Sequence, residues 1–300
     1  MRAIIAGGTG FIGKALVAEL KANDWEIVVL SRSPGKVAEV FGSGVIGMRW
    51  DNGDWPDMLG ADSVIVNLAG ENIAAGRWTA TRKKRILESR VKAGEQLVKA
   101  VKLGDTLPAA IIQGSAVGYY GPHGNNPIDE DTPSGTGYLA EVARQWEDST
   151  KELEAMGVRR AIIRTGMVLG NGGALERLLP PFRFFVGGPP GDGFQGVSWI
   201  HIDDEVGAIR FLMENDSTSG AYNLTAPTPV RFRKFAHILG DTLNRPYKLR
   251  VPAAIMRLLL GEMADEVILS GQLALPKRLE EAGYQFKYPS LEGALGNLLG

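Results

Sequence analysis

Three glycines spaced three residues apart, Gly7, Gly10 and Gly13, stand between the apolar tetrad Ala3-Ile4-Ile5-Ala6 and a helical pattern in which Leu16, Val17 and Leu20 share one face. Few folds pass from strand to helix through such a run. The first glycine permits a tight turn, the second lets the backbone approach a pyrophosphate with no Cβ in the way, and the third lets helix and strand pack closely. The helix N-terminus adds unpaired N–H groups and about half a positive charge. The segment Gly7-Gly8-Thr9-Gly10-Phe11-Ile12-Gly13 is therefore expected to bind a dinucleotide, with Thr9, Phe11 and Ile12 joining the three glycines in contact with it.

The rest of the chain repeats the alternation of strand and helix. Apolar runs at Glu26-Leu30, Val45-Trp50, Val64-Leu68, Ala110-Gly114 and Arg160-Arg164 are separated by helical patterns that include Thr81-Leu103 and Tyr138-Met156. This order predicts an α/β fold of the Rossmann type, a doubly wound parallel sheet with a smaller, interleaved C-terminal substrate region. Residues 1–170 form the expected cofactor domain. After Arg164 the pattern changes, and Leu179-Pro180-Pro181 and Gly187-Gly188-Pro189-Pro190-Gly191-Asp192-Gly193 read as a long loop. The segment 195–226, with Trp199-Ile200-His201-Ile202 and a helical run to Met213, returns to the first domain. That leaves 171–194 and 227–300 as the smaller region.

Composition narrows the function. Hydrophobic residues make up 44% and charged residues 22% of 300 positions, and the net charge is −1. An ordinary globular protein follows, with no global field to recruit nucleic acid or an anionic membrane. The longest apolar stretch, Ala253-Leu260, is far short of a bilayer span of about 20 residues. No targeting segment is visible, so the cytoplasm is the expected compartment. Without cysteine, thiolate metal sites and thiol nucleophiles are excluded, and His123, His201 and His237 lie too far apart to suggest a metal. The basic run Arg82-Lys83-Lys84-Arg85 reads as a solvated helix face.

The end of the second strand distinguishes the two nicotinamide cofactors. A carboxylate there would accept from the ribose 2′-hydroxyl; this strand ends in Ser31-Arg32. A hydroxyl and a guanidinium suit a 2′-phosphate, so NADP is the expected cofactor.

The glycine spacing, with Asn67-Leu68-Ala69-Gly70 after the fourth strand, resembles the short-chain dehydrogenase/reductase superfamily in its extended, epimerase-like branch. Glu71-Asn72-Ile73, Arg77-Trp78, Ser89-Arg90, Trp146-Glu147, Gly170-Asn171-Gly172-Gly173-Ala174, Trp199-Ile200-His201-Ile202-Asp203-Asp204 and Gly261-Glu262-Met263-Ala264 narrow the likeness to an atypical epimerase-family protein over essentially the whole chain. The resemblance implies a family-specific tail from about Val251. It implies that Leu68 and Ala69 line the cofactor with backbone, that Asp51 contacts the adenine, that Arg90 faces the cofactor and that Val168 borders the nicotinamide. Gly70 and Glu71 continue the lining, Glu71 as a cofactor contact or an acid-base group. Arg85 is a further candidate for the phosphates.

The resemblance also implies a proton-transfer set of a Ser or Thr, a Tyr and a Lys four residues after it. Ser115 and Tyr138 match the first two, but Val142 stands at the lysine position. An unassisted phenol with a pKa near 10 is a poor base at neutral pH. Glu141, one helical turn from Tyr138, is another acid-base candidate. His201 is expected to be structural, with Asp204 capping the next helix. Two readings follow: an NADP(H)-dependent oxidoreductase or epimerase acting by hydride transfer on a carbonyl compound, alcohol or sugar-nucleotide-like substrate, or an NADP(H)-binding regulatory or scaffolding protein without turnover. The helices of Thr81-Leu103 and Tyr138-Met156 are where a homodimer would form.

Overall fold

The computed structural model describes residues 1–50, 54–124 and 126–300. Its chain runs through β1 (Arg2–Ala6), α1 (Phe11–Ala22), β2 (Glu26–Ser31), α2 (Pro34–Phe41), β3 (Val45–Arg49), β4 (Ser63–Asn67), α3 (Ala80–Leu103) and β5 (Ala110–Ala116). After a short β6 (Pro127–Ile128) come α4 (Tyr138–Asp148), α5 (Glu152–Ala155), β7 (Arg159–Thr165), β8 (Met167–Gly170), α6 (Gly173–Arg183), β9 (Gly196–Val197), β10 (Trp199–His201), α7 (Ile202–Glu214) and β11 (Gly220–Leu224). The remainder is β12 (Val230–Arg231), α8 (Phe232–Leu243), α9 (Ala253–Leu260), β13 (Leu273–Ala274), α10 (Lys277–Glu281) and α11 (Leu291–Leu299).

Among the described residues the central sheet has seven strands in the order β11-β7-β5-β4-β1-β2-β3, and every pairing in it is parallel. The order reverses beside β1: the chain first winds out to β3, then returns to β4 and winds the other way. Such a reversal opens a crevice at the carboxyl ends of β1 and β4. The period of two along β1 divides the core. Ala3 and Ile5 meet Leu16, Val17, Leu20, Val206, Ile209 and Leu212 of α1 and α7 on one face. Ile4 meets Leu97, Val98 and Val101 of α3 on the other. Each aliphatic side chain so buried contributes about 1.5–3 kcal/mol relative to exposure, which is why strands covered on both faces read as unbroken apolar runs.

A second core lies C-terminal to the sheet, where Leu175, Leu179 and Phe182 of α6 pack with Trp199, Phe235 and Leu239 and with Leu291 and Leu295 of α11. Between the two cores, β10 pairs with β8, α7 packs on α1, and β11 closes the sheet beside β7.

Two expectations need correction. Pro180 and Pro181 belong to α6 rather than to a loop. They fall in the last turn, and the chain leaves the helix through Phe184 and Phe185, whose N–H groups donate to Pro180 and Phe182 carbonyls. The expected helix Tyr138-Met156 breaks after Asp148. Thr150 is turned inward there, fully buried, with its hydroxyl donating to Gln113 Oε1 at 3.1 Å.

Candidate cofactor site

Gly7 has φ +84°, a conformation L side chains rarely adopt, and a Cβ on it would stand 2.6 Å from the Leu68 carbonyl oxygen. The first turn and the loop after β4 therefore touch backbone to backbone. A Cβ on Gly13 would stand 2.3 Å from the Gly7 carbonyl oxygen, so α1 is held against its own turn. Gly10 is different: only the Gly7 carbonyl oxygen, at 3.2 Å, comes near the place of its Cβ. Space is left above it. Gly10 is also the N-cap of α1, with no side-chain cap and no acid in the first turn. The amide end of the helix is thus left for an anion, which fits a pyrophosphate.

Phe11, first residue of α1, turns its ring away from the loop and onto the turn before α6. Cβ atoms on Gly170, Gly172 and Gly173 would lie 2.9, 3.1 and 2.9 Å from that ring. Those glycines form the seat of Phe11.

The loop after β4 forms the opposite wall. Leu68 N–H donates to the Ala6 carbonyl, and Ala69 N–H to Asn67 Oδ1 at 3.3 Å. Beneath it runs Arg90, whose Nη1 donates to the Glu71 and Ile86 carbonyls at 3.0 Å while its guanidinium lies 5.0 Å from the Trp146 ring. A Cβ on Gly70 would lie 2.8 Å from Arg90 Cζ. Arg90 supports the loop from below, and burial lowers its pKa to about 10. The Glu71 carboxylate faces α3, with Oε1 3.1 Å from Arg82 Nη1 and Oε2 3.8 Å from Arg85 Nε. Arg82 and Arg85, part of a run expected to be solvated, thus hold Glu71.

At the end of β2, Ser31 Oγ accepts from Ser33 N–H at 3.1 Å. Arg32 is exposed, and no described residue pairs with its guanidinium. Ser31 is in register with Arg49 of β3, which brings a second guanidinium residue to the same edge. The sequence reading missed Arg49, because its strand is short and register between strands is not local information. Asp51, the expected adenine contact, lies outside the described residues.

The expected proton-transfer residues are both engaged with protein. Ser115, at the carboxyl end of β5, is buried and donates to Glu147 Oε1 at 2.6 Å. Glu147 is in turn paired with Arg164, whose Nε and Nη2 reach its two oxygens at 2.9 and 3.1 Å. Arg164 Nη1 donates to Tyr120 Oη, which donates to Asn223 Oδ1 at 2.7 Å. Tyr138, first residue of α4, donates its phenol to the Lys83 carbonyl at 2.8 Å. Burial raises its pKa to about 12, against the influence of Arg90. Lys83 Nζ lies 4.4 Å from the Tyr138 ring centroid, over its face rather than at its oxygen. Val142, at the lysine position, is buried. Glu141 is a surface carboxylate bonded to Gln145 and Arg144, which lower its pKa.

Val168, expected at the nicotinamide end, is buried in the main core. His201 is structural, but the capping expectation moves by three residues: His201 Nδ1 itself accepts from Asp203 N–H at 3.1 Å. Asp204 is fully buried and accepts from Lys287 and Tyr288 N–H at 2.7 and 2.9 Å, fastening the tail. Glu205 beside it takes the Thr165 hydroxyl at 2.8 Å, its Oε2 has no partner among the described residues, and burial raises its pKa to about 8. No group of three His, Asp or Glu with metal-holding geometry occurs among the described residues. No described helix is long and apolar enough to cross a membrane.

Residues 3–225 match the model of the NAD dependent epimerase/dehydratase family, and residues 251–298 match DUF1731, a domain of unknown function. The expected tail boundary at Val251 coincides with the start of the second match. An Arabidopsis thaliana protein, Epimerase family protein SDR39U1 homolog, chloroplastic, is 40% identical over 302 residues, 98% of this chain and 86% of that one. Epimerase family protein Mb2239 of Mycobacterium bovis is 39% identical over 297 residues, 97% of this chain and 95% of that one. The crystal structure of human epimerase family protein SDR39U1 (isoform2) with NADPH superposes with a TM-score of 0.91 at 34% identity, covering 100% of this chain and 99% of that one. With the first model matched over most of its length and relatives of this likeness spanning it from end to end, the chain belongs to the NAD dependent epimerase/dehydratase family, in its DUF1731-bearing, extended short-chain dehydrogenase/reductase form.

Proposed function

We propose that this chain binds NADP(H) across the carboxyl edge of its sheet and is an oxidoreductase or epimerase of small carbonyl or alcohol substrates. The observation that carries the cofactor choice is the end of β2, where Arg32 is exposed beside Ser31 with no partner among the described residues, and no carboxylate replaces them. The human relative crystallised with NADPH supports it. Phe11, Ile12 and Gly13 N–H groups at the start of α1 would hold the pyrophosphate, Ser31 and Arg32 the 2′-phosphate, and the backbone of Leu68, Ala69 and Gly70 would line the opposite wall. When bound, the nicotinamide supplies or accepts a hydride. The chain's own part in proton transfer is restricted. A phenol with its pKa at about 12 stays protonated at neutral pH, so Tyr138 is not a base, and it donates to a substrate oxygen only by turning its single proton away from the Lys83 carbonyl.

One observation favours the reading of a binding protein without turnover: the Ser115 and Tyr138 hydroxyls both donate within the protein. Titration with NADPH and NADH, followed by a panel of aldehydes, ketones and sugar nucleotides at saturating cofactor, separates the readings. We expect NADPH to bind at least tenfold tighter than NADH and to be oxidised by some carbonyl compound. Tight NADPH binding with no oxidation across the panel would establish the second reading, and equal affinity for the two cofactors would remove the NADP assignment.

A further inference from the structure

A cavity of about 570 Å³ lies between the first turns of α8 and the segment leading to α9, apart from the glycine loop and the loop after β4. Its lining includes Arg233 and Lys234 of α8 and Lys248 and Arg250 of the segment before α9, all four exposed to solvent. The apolar part of its wall is formed by the His237 and Tyr247 rings, whose centroids are 4.5 Å apart. No acidic residue lines it. The nearest carboxylate on that helix face is Asp241, which pairs with His237 Nε2 at 3.0 Å and fixes the imidazole. Among the described residues none of the four cationic groups has an ion-pair partner; Arg233 rests on the Phe194 ring at 4.7 Å.

This concentration of charge is unexplained by the fold. Arg233 and Lys234 occupy the first turn of α8, which holds no acid, where the helix dipole disfavours cations. Lys248 and Arg250 add like charge from across the cavity. The whole chain has a net charge of −1, so the cluster is local. Four exposed cations lining one open cleft with an aromatic wall suit a compact polyanion carrying a flat ring.

We propose that this cavity is a second binding site, for a small phosphate ester with at least two negative charges, separate from the dinucleotide site. The phosphates lie among Arg233, Lys234, Lys248 and Arg250, and the ring of a nucleotide lies against Tyr247. The test is calorimetric titration of the NADPH-loaded full chain with inorganic pyrophosphate and with ATP, repeated with Lys234→Ala/Arg250→Ala. Both probes are expected to bind with affinity that falls steeply with salt, and ATP more tightly than pyrophosphate. The double variant should weaken both at least tenfold, while its NADPH affinity and melting temperature stay at wild-type values. Arg32→Ala should do the reverse, weakening NADPH alone. Absence of binding below millimolar pyrophosphate and ATP would overturn the proposal. So would binding unaltered in the double variant, or a cluster that retains only long polyanions such as heparin, which would make it a charged surface and not a site.

Discussion

In the proposed function Arg32 carries the cofactor preference through its exposed guanidinium, and its replacement is the sharpest test at the level of one residue. A charge-assisted hydrogen bond to a phosphate contributes about 1.5–3 kcal/mol, or roughly 10- to 100-fold in affinity. Arg32→Asp should cost NADPH at least that factor, because it adds repulsion, and should leave NADH affinity within about threefold, as read by quenching of protein fluorescence. Glu205 gives a prediction of the opposite kind. Burial without a charge partner pushes its folded pKa up to about 8, from the ordinary glutamate value of about 4.5. The folded state therefore holds the proton more tightly, and this group's contribution to stability is fully present below pH about 4.5, declines as the pH rises, and is gone above about 8. Glu205→Gln should remove the decline, raising the melting temperature at pH 8 relative to wild type by more than at pH 5. A wild-type melting temperature equally insensitive to pH in both proteins would refute it. The sequence showed Arg32 because the residue that follows a strand is local information. It did not show Glu205, whose burial depends on β7 and α7 meeting after 40 residues of separation.

At the scale of elements, strands were legible and their fittings were not. Apolar runs of the right length marked every strand around the reversal in the sheet, since burial on both faces leaves no room for polar alternation. The Asp204 expectation failed because its local pattern suits a cap, whereas the fold delivers Lys287 and Tyr288 amides to that carboxylate from the tail. The network Ser115–Glu147–Arg164–Tyr120–Asn223 was equally hidden, as it joins five elements at the carboxyl ends of β5, β7 and β11. Removing one partner of a buried ion pair costs about 3–5 kcal/mol, so Glu147→Gln should lower thermal stability by several degrees. If Ser115 serves only this network, Ser115→Ala should change any measured turnover less than it changes the melting temperature. Phe11 links two elements in the same manner. Phe11→Ala should cost about 2–3 kcal/mol by chemical denaturation, somewhat less than the truncation of a fully buried ring.

Across the molecule, the later tail is held by packing, Leu279 in the main core and Leu291 and Leu295 in the second, whereas its first part, residues 251–270, is fastened to the cofactor domain by charge. Glu262 pairs with Lys83 of α3 at 2.7 Å, and Glu266 accepts from the Tyr138 and Leu139 N–H groups at the start of α4, at 3.3 and 3.2 Å. Between the second core and these fastenings, α9 buries no side chain, and its Leu258 is 74% exposed. Each fastening is worth about 1 kcal/mol by the usual scale of caps and exposed ion pairs. Glu262→Gln/Glu266→Gln should therefore direct limited proteolysis to residues 251–270, leaving the sheet domain resistant; an unchanged cleavage pattern would show that the tail is held by packing. The outer face of α3 carries Lys84, Glu88 and Lys92, linked to one another at 3.7 and 3.2 Å, so a homodimer formed there would bury charge instead of apolar surface.

The seat of Phe11 sets a rule of inheritance for relatives of this chain. A ring at the first position of the phosphate-binding helix leaves no Cβ room at three glycines about 160 positions further along, of which Gly172 and Gly173 also have positive φ, +136° and +62°. Exchanging Phe11 for a small residue would remove the ring but leave Gly172 and Gly173 at positive φ and leave the place of a Gly170 Cβ 3.0 Å from Ile202. The three glycines should therefore outlast the ring: relatives with a small residue at 11 should still carry glycine at 172 and 173, and relatives that keep the ring should not fill any of the three.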